Sequence, residues 1–423
     1  MNGTARLQSS TTAISESNLI ERKSDPAATR AIVITGGLLF IAMIPVTMLV
    51  APLKELIAIR FSAGDFATHA FMSINMIGAI FVAPFIGARA DHPARRRRTA
   101  ILALSIDAVL LAAMALAPSL ATVLTLRFFE GAAHVIAISQ LMAIAASWST
   151  PGKRGRAMGI AGAAMMFGTA CGTRLGGPIW HSLPGWTFQI AGGISAIAAF
   201  LVMLFVSEPH STHTATPEFP GIRAMLRGNR ALAVPYAYAM MDRLCVGVLV
   251  STFVLYLSDV QHLQPDQRSR LLGMFLIPFA VLVYPAGRLV DRFGRVWPIS
   301  IASLLFGAIF AAYPWFDSNS LYGVMLLSGI VSAIMFAPSL ALTADLAPDG
   351  ARGATFTGFN VAGSLGFMMG PLLAGMLFAY WRTRGTTIDA YRFTFGVTGT
   401  MQMLCAILTL PMLMRLKKSG KTR

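Results

Sequence analysis

Seven ionisable residues lie inside long apolar runs of this sequence, where an isolated charge is costly. Three of them, Arg127, Glu130 and His134, follow one another at helical spacing. A charge at the centre of a bilayer costs about 2.5–3.5 kcal/mol on insertion scales, so each such group needs a partner, a bound ion or water. Groups of this kind exchange protons or hold an ionic solute. The full set is Asp107, Arg127, Glu130, His134, Arg174, Asp242 and Arg243.

The spacing of Arg127 and Glu130 predicts a direct ion pair, because residues three apart share one face of a helix. His134 lies one turn further along. An imidazole titrates near neutral pH, and it also packs well as a neutral ring, so both roles stay open for His134. We expect some of the seven residues to line a central cavity. For Arg127 and Glu130 the alternative is a static ion pair near the outer membrane interface.

The elements that must position these residues are indicated by the composition. Hydrophobic residues make up 55% of the 423 residues and charged residues 12%. The charged share is about half that of a soluble domain, which predicts that the bilayer is the solvent. The net charge of +16 does not indicate nucleic acid, because the basic residues lie in short loops between apolar runs.

Neither a cofactor nor a metal site is expected. The sequence lacks the phosphate-binding pattern G-x-x-x-x-G-K, so ATP is not the indicated energy source. The three cysteines, Cys171, Cys245 and Cys405, lie in apolar runs without metal-like or redox spacing. The same absence of a nucleophile or metal constellation makes an enzyme the least supported class.

The apolar runs predict an all-α integral membrane protein with twelve transmembrane helices in two six-helix bundles. About 20 apolar residues are needed to cross a hydrocarbon core of about 30 Å, and twelve runs of that kind occur. Most of the 34 Lys and Arg residues fall on the side of both termini, so both termini are predicted to be cytoplasmic. The predicted regions are a tail at 1–30, a bundle at 31–207, a cytoplasmic loop at 208–232, a bundle at 233–414 and a basic tail at 415–423.

A repeated loop signature supports the division into halves. Gly87, Asp91 and Arg95 recur 200 positions later as Gly287, Asp291 and Arg295. Parallel repeats of this kind are typical of transporter folds. A carboxylate at a cytoplasmic helix end can pair with Arg residues of a neighbouring helix and hold one conformation closed. We therefore expect these loops to act as a cytoplasmic gate.

The loop signature resembles the major facilitator motif G-x-x-x-D-(R/K)-x-G-(R/K)-(R/K). The second copy fits it with Gly287, Asp291, Arg292, Gly294 and Arg295, whereas the first copy has His92 and Ala94 at two motif positions. The resemblance covers nearly the whole chain. It implies a twelve-helix transporter that works by alternating access.

Two further resemblances concern the mode of transport. Arg127 and Gly131 resemble the R-x-x-x-G signature of helix four, whose arginine takes part in proton transfer in proton-coupled members of the family. The fifth apolar run resembles the glycine-rich antiporter motif, although close helix packing accounts for glycines equally well. Its glycines and proline are Gly168, Gly172, Gly176, Gly177 and Pro178.

The sequence thus predicts a secondary active transporter, with proton-coupled antiport that exports a small amphipathic molecule as the leading hypothesis. Uptake of a nutrient, an organic anion or a metal species is the alternative within transport. A non-transporting membrane scaffold or sensor is the alternative outside it. The expected partners are a small-molecule substrate, protons and the lipid bilayer, for a monomer in a bacterial inner membrane with no nucleic acid.

Overall fold

The computed structural model describes residues 26–90, 95–148, 154–206, 222–347 and 352–418. These residues form helices joined by turns, with no β-strand in the described ranges. Twelve long helices follow one another: α1 Pro26–Met48, α2 Asp65–Ala90, α3 Arg96–Ala115, α4 Leu120–Ser147, α5 Arg154–Ser182, α6 Thr187–Phe205, α7 Ala233–Val248, α8 Pro265–Phe293, α9 Val296–Ala312, α10 Ser318–Leu346, α11 Arg352–Arg382 and α12 Thr387–Lys418. A short linker helix, Ile222–Gly228, lies between α6 and α7.

Nine helices of the described chain are long and apolar enough to cross a membrane. The other three long helices are α2, α5 and α8, of 26, 29 and 29 residues. They lie where the two halves meet, with α5 against α8 and α2 against α11. The all-α membrane fold is confirmed, and the predicted number of twelve matches the long helices.

The two halves repeat the same packing. In the first half α1 packs on α5, α2 on α4, and α3 on both α4 and α6. In the second half α7 packs on α11, α8 on α10, and α9 on both α10 and α12. A π-helical turn also follows at the same place in each half, at Lys54–Ile59 after α1 and at Leu249–Phe253 after α7. The packing is that of two parallel repeats.

The halves share a core at one end of the molecule. We call this end the distal face, and the end where α1 begins and α12 ends the terminal face. At the distal face one continuous apolar cluster includes Leu49 and Phe71 of the first half and Val248, Phe253 and Phe275 of the second.

Towards the terminal face the apolar cores are separate. One cluster, with Leu104 and Ile144, belongs to the first half, and another, with Tyr236 and Leu342, belongs to the second. The halves are therefore closed against each other at the distal face, whereas among the described side chains each terminal-face core belongs to one half.

Candidate functional site

Four of the seven predicted residues form one cluster between α3 and α4. Arg127 Nη1 donates to Glu130 Oε2 at 2.9 Å, which confirms the ion pair expected from their spacing. Asp107 of α3 and His134 of α4 complete the cluster. All four side chains are enclosed, with exposed fractions between 0% and 5%. The helix packing thus takes the whole group out of solvent.

The carboxylate of Asp107 is held from a third helix. Ser195 Oγ of α6 donates to Asp107 Oδ2 at 2.5 Å. The other oxygen, Asp107 Oδ1, lies 3.9 Å from His134 Nδ1. Asp107 Oδ1, Glu130 Oε1 and His134 Nδ1 are buried and have no hydrogen-bond partner among the described residues. Potential ligand atoms of these three residues lie within 4.8 Å of one another.

The charge balance of the cluster leaves room for one positive charge. Two carboxyl groups face one guanidinium, so full ionisation leaves a net charge of −1 in an enclosed site. Two carboxylates this close repel each other strongly, and a proton or a cation relieves that repulsion. Two carboxylates and an imidazole are also a possible metal-ligand set. With Arg127 present, a monovalent cation balances the charge and a divalent ion exceeds it.

Close packing of α2 on α4 encloses the arginine. The Arg127 guanidinium lies over the ring of Phe71, 5.0 Å from its centroid. A side chain at Gly131 would collide with the backbone of Asn75. The glycine of the helix-four signature therefore allows α2 to approach, and the arginine is covered as a result.

Arg174 lies elsewhere, at the distal face. Its Nη1 is 3.6 Å from Asp266 Oδ1 and donates to Ser269 Oγ at 3.3 Å, both on α8. Arg174 belongs to α5, so these contacts join the two halves. The structure does not bring it to the enclosed cluster, and a role in a substrate cavity stays a prediction.

Three more ion pairs link the halves at the distal face. Lys54 Nζ lies 2.6 Å from Asp259 Oδ1. Arg382 Nη1 lies 3.4 Å from Asp65 Oδ2. The third pair joins Glu55 to Arg268, whose side chain is 1% exposed.

The sequence reasoning missed this distal network, because it considered gating only at the cytoplasmic loops. A signal was present, since Lys54 and Glu55 lie in the α1–α2 connection while Asp266 and Arg268 lie at the start of α8, just after the equivalent connection. Charges of both signs at neighbouring places in two repeats favour pairing between the repeats. Among the described residues, no ion pair links the halves at the terminal face.

The predicted cytoplasmic gate is described only in part. Gly294 adopts a positive φ of 80°, and Arg295 Nε donates to Asp345 Oδ2 of α10 at 2.5 Å. This pair lies within the second half. Asp91 falls outside the described residues, and so do the side chains at Asp291 and Arg292. Arg95 is exposed, Gly87 and Gly287 lie in helices, and a gating role for the set stays a prediction.

Asp242 and Arg243 lie in the second half, on α7. Arg243 Nε is 3.9 Å from Asp242 Oδ2, and its guanidinium carbon is 5.8 Å from the centroid of the Phe336 ring. The side chain of Asp242 is 7% exposed and that of Arg243 is 31% exposed. The seven predicted residues therefore occupy three separate places in the molecule.

The glycines of α5 are contact points for other helices. An added Cβ at Gly168, Gly172 or Gly176 would collide with α1, and one at Gly177 would collide with α8. Pro178 follows inside the same helix. Small residues let helix backbones approach closely. Packing therefore accounts for these glycines whether or not the chain is an antiporter.

Comparisons with known proteins agree with this architecture. The family model described as Major Facilitator Superfamily matches residues 35–265 and 236–423. The "3-(3-hydroxy-phenyl)propionate transporter" of Escherichia coli (strain K12) is 24% identical over 344 residues, which are 77% of this chain and 83% of that protein.

Two solved structures share the fold. One is a bacterial homologue of the human lysosomal transporter Spinster, inward-facing and unoccupied, with a TM-score of 0.70, 16% identity, and coverage of 92% of this chain and 96% of that one. The other is a D-xylose-proton symporter, with a TM-score of 0.70, 16% identity, and coverage of 90% and 96%. The chain belongs to the major facilitator superfamily and is a multi-pass membrane transporter, not an enzyme.

Proposed function

We propose that this transporter exchanges protons for a small amphipathic molecule that it exports. The observation that carries the proposal is the enclosed cluster of two carboxyl groups, one guanidinium and one imidazole. A static scaffold gains nothing from such a cluster, because enclosed charges are costly. Proton uptake by one carboxyl group relieves the repulsion between the two, so this environment suits a group that takes up and releases a proton.

The direction of access follows from the closed distal face. Basic loops on the side of both termini support a cytoplasmic position for the terminal face. We infer that distal closure belongs to an inward-facing state, in which a cytoplasmic solute enters between the halves. Alternating access requires the distal ion pairs to break as the halves rock.

The packing offers a direct path from the cluster to the interface between the halves. Arg127 contacts Phe71 of α2, and two residues further along α2 Ser73 Oγ donates to the carbonyl oxygen of Met368 at 2.7 Å. Met368 belongs to α11, in the other half. Protonation of Glu130 removes the charge that holds Arg127, which frees the guanidinium to change its contact with α2. A change in proton occupancy can therefore bias the packing of α2 against α11.

A second candidate is uptake of an organic anion together with protons. The partly exposed Arg243 favours it, because a cation at membrane depth without a hydrogen-bonded partner among the described residues can bind an anionic solute. The relative from Escherichia coli is named as a transporter of an aromatic acid, 3-(3-hydroxyphenyl)propionate. Both candidates use the enclosed cluster of Asp107, Arg127, Glu130 and His134. They differ in whether protons and solute move in opposite directions or in the same direction.

Proteoliposomes that contain the purified protein and an internal pH indicator separate the candidates. A solute added outside makes the internal pH rise under antiport, because protons leave as solute enters. It makes the internal pH fall under symport. Protein-free vesicles with the same solute are the control, since weak acids cross lipid unaided. No protein-dependent pH change across a broad solute panel, with folded protein, contradicts proton coupling.

A further inference from the structure

We propose that Arg243 and the phenylalanine rings beside it bind the carboxylate and the ring of an aromatic acid. This inference rests on the proposed transport function and names the class of substrate. The site lies on α7, α8, α10 and α11 of the second half, separate from the proton cluster of the first half.

The guanidinium of Arg243 has a free edge. Its closest acidic contact is from Nε to Asp242 Oδ2, at 3.9 Å, and its nitrogens donate no hydrogen bond among the described residues. The side chain is 31% exposed, so the group is accessible to a solute. The two Nη atoms of an arginine match the two oxygens of a carboxylate. Asp242 faces the Nε side and lowers the net charge there without occupying the Nη pair.

Aromatic rings from three helices meet beside this position. The ring of Phe336 on α10 lies under the Arg243 guanidinium, 5.8 Å from its carbon. Phe336 meets Phe279 of α8 at 5.7 Å and 67°, and Phe359 of α11 at 6.3 Å and 60°. Such edge-to-face contacts are the arrangement that a further aromatic ring adopts. A ligand ring beside Phe336 would therefore extend an existing set of ring contacts.

A glycine on α11 makes room for the arginine. A Cβ at Gly363 would lie 3.2 Å from Arg243 Cγ, a tight contact. The absence of a side chain lets the arginine stem lie along α11 while its head stays beside Phe336. The stem of Arg243 is thereby confined beside α11, which limits the directions that its guanidinium can take.

Calorimetric titration of the purified protein in detergent with 3-phenylpropionate tests the site. 3-Phenylpropanamide lacks the charge, and hexanoate lacks the ring. We expect both to bind at least about tenfold more weakly, because each loses one of the two contacts. Arg243→Gln is expected to weaken 3-phenylpropionate binding about tenfold or more. Arg243→Lys should recover part of this loss, since lysine keeps the charge without the planar pair of donors.

Phe336→Leu tests the ring independently and should weaken 3-phenylpropionate binding about fivefold while leaving hexanoate binding unchanged. The matched control is Arg392→Gln, which removes an exposed distal arginine paired with Asp389 in the same half. We expect no change for this control. Thermal unfolding of each variant shows whether it is folded.

Equal binding of the acid and its amide would overturn the inference. So would undiminished binding to folded Arg243→Gln, which would show that Arg243 serves only as the partner of Asp242. Absence of 3-phenylpropionate binding to the wild type, with proton flux caused by another solute, overturns the site and leaves the proposed function standing. Binding as expected, without proton flux for any solute, supports the site and overturns proton coupling.

Discussion

Lys54 Nζ in the first half lies 2.6 Å from Asp259 Oδ1 in the second. The other oxygen of Asp259 accepts a hydrogen bond from Tyr391 Oη at 2.6 Å. The carboxylate is thus held by a lysine across the boundary and by a tyrosine of its own half. The contact exists only while the distal face is closed.

Lys54→Gln is expected to increase the population of the distal-open state. A partly exposed ion pair contributes about 1 kcal/mol, which corresponds to about a fivefold change in the equilibrium. Distances between two spin labels placed across the distal face measure this shift, in a background where Cys171, Cys245 and Cys405 are replaced because they are free thiols. Arg392→Gln breaks an exposed pair within α12 and is the control. Identical distance distributions for the Lys54 variant and the wild type contradict the gating role.

Arg268→Gln should have a larger effect than Lys54→Gln. The Arg268 side chain is 1% exposed and that of Glu55 16%, so the variant leaves an enclosed carboxylate without its partner. Removing one member of a buried pair costs about 3 kcal/mol or more. The same label distances report the effect. The double variant Glu55→Gln with Arg268→Gln should return towards the wild type, because no unpaired charge remains, and additive losses would argue against direct coupling of the pair.

Asp107→Asn and Glu130→Gln should each separate solute movement from proton movement. Each substitution keeps the size of the side chain but removes the group that binds the proton. We expect proton flux per solute to fall at least about tenfold while exchange of solute down its own gradient continues. Flux of both species is measured in the same vesicles. Ser195→Ala removes the hydrogen bond to Asp107 and leaves both carboxyl groups in place, so coupling should persist.

His134→Gln decides between the two roles that the sequence leaves open for this histidine. A neutral packing histidine predicts unchanged coupling, and a proton-carrying histidine predicts the same loss as Glu130→Gln.

Wild-type coupling in both carboxyl variants, Asp107→Asn and Glu130→Gln, would remove the cluster from the proton pathway.

Gly172→Ala is expected to destabilise the protein by about 1–3 kcal/mol, since its Cβ would overlap Thr47 and the backbone of Ile44 in α1. Gly162 lies on the same helix with nothing within 4 Å of an added Cβ. Gly162→Ala is therefore the matched control and should be close to neutral. Thermal unfolding in detergent measures both, and equal behaviour of the two variants would contradict the packing role.

The sequence predicted the local part of the candidate site and not its long-range part. The Arg127–Glu130 pair follows from one helix, because spacing along a helix determines which side chains share a face. That Asp107 lies beside this pair does not follow from the sequence, since it depends on how α3 packs against α4 and on Ser195 of α6. The membrane fold could be predicted because apolar composition and basic loops are also local properties of the chain.

Arg174 shows what sequence reasoning could not supply. Its position within an apolar, glycine-rich run indicates a cavity residue, yet it pairs with Asp266 across the boundary between the halves. The glycines that surround it in sequence bring α5 against α1 and α8. Only the packing of the two repeats reveals that this end of α5 lies at an interface. The residues predicted to carry proton and substrate roles therefore lie in separate regions.

The single apolar core at the distal face also has a thermal consequence. Its opening exposes to water the apolar surface that the two halves bury against each other there, and closure of the terminal face covers other apolar surface. Hydration of apolar surface raises the heat capacity. The free-energy difference between the two states therefore changes non-linearly with temperature. The sign of that curvature shows which face buries more apolar area. A larger distal core makes cooling favour the distal-open state, because the hydrophobic contribution weakens at low temperature.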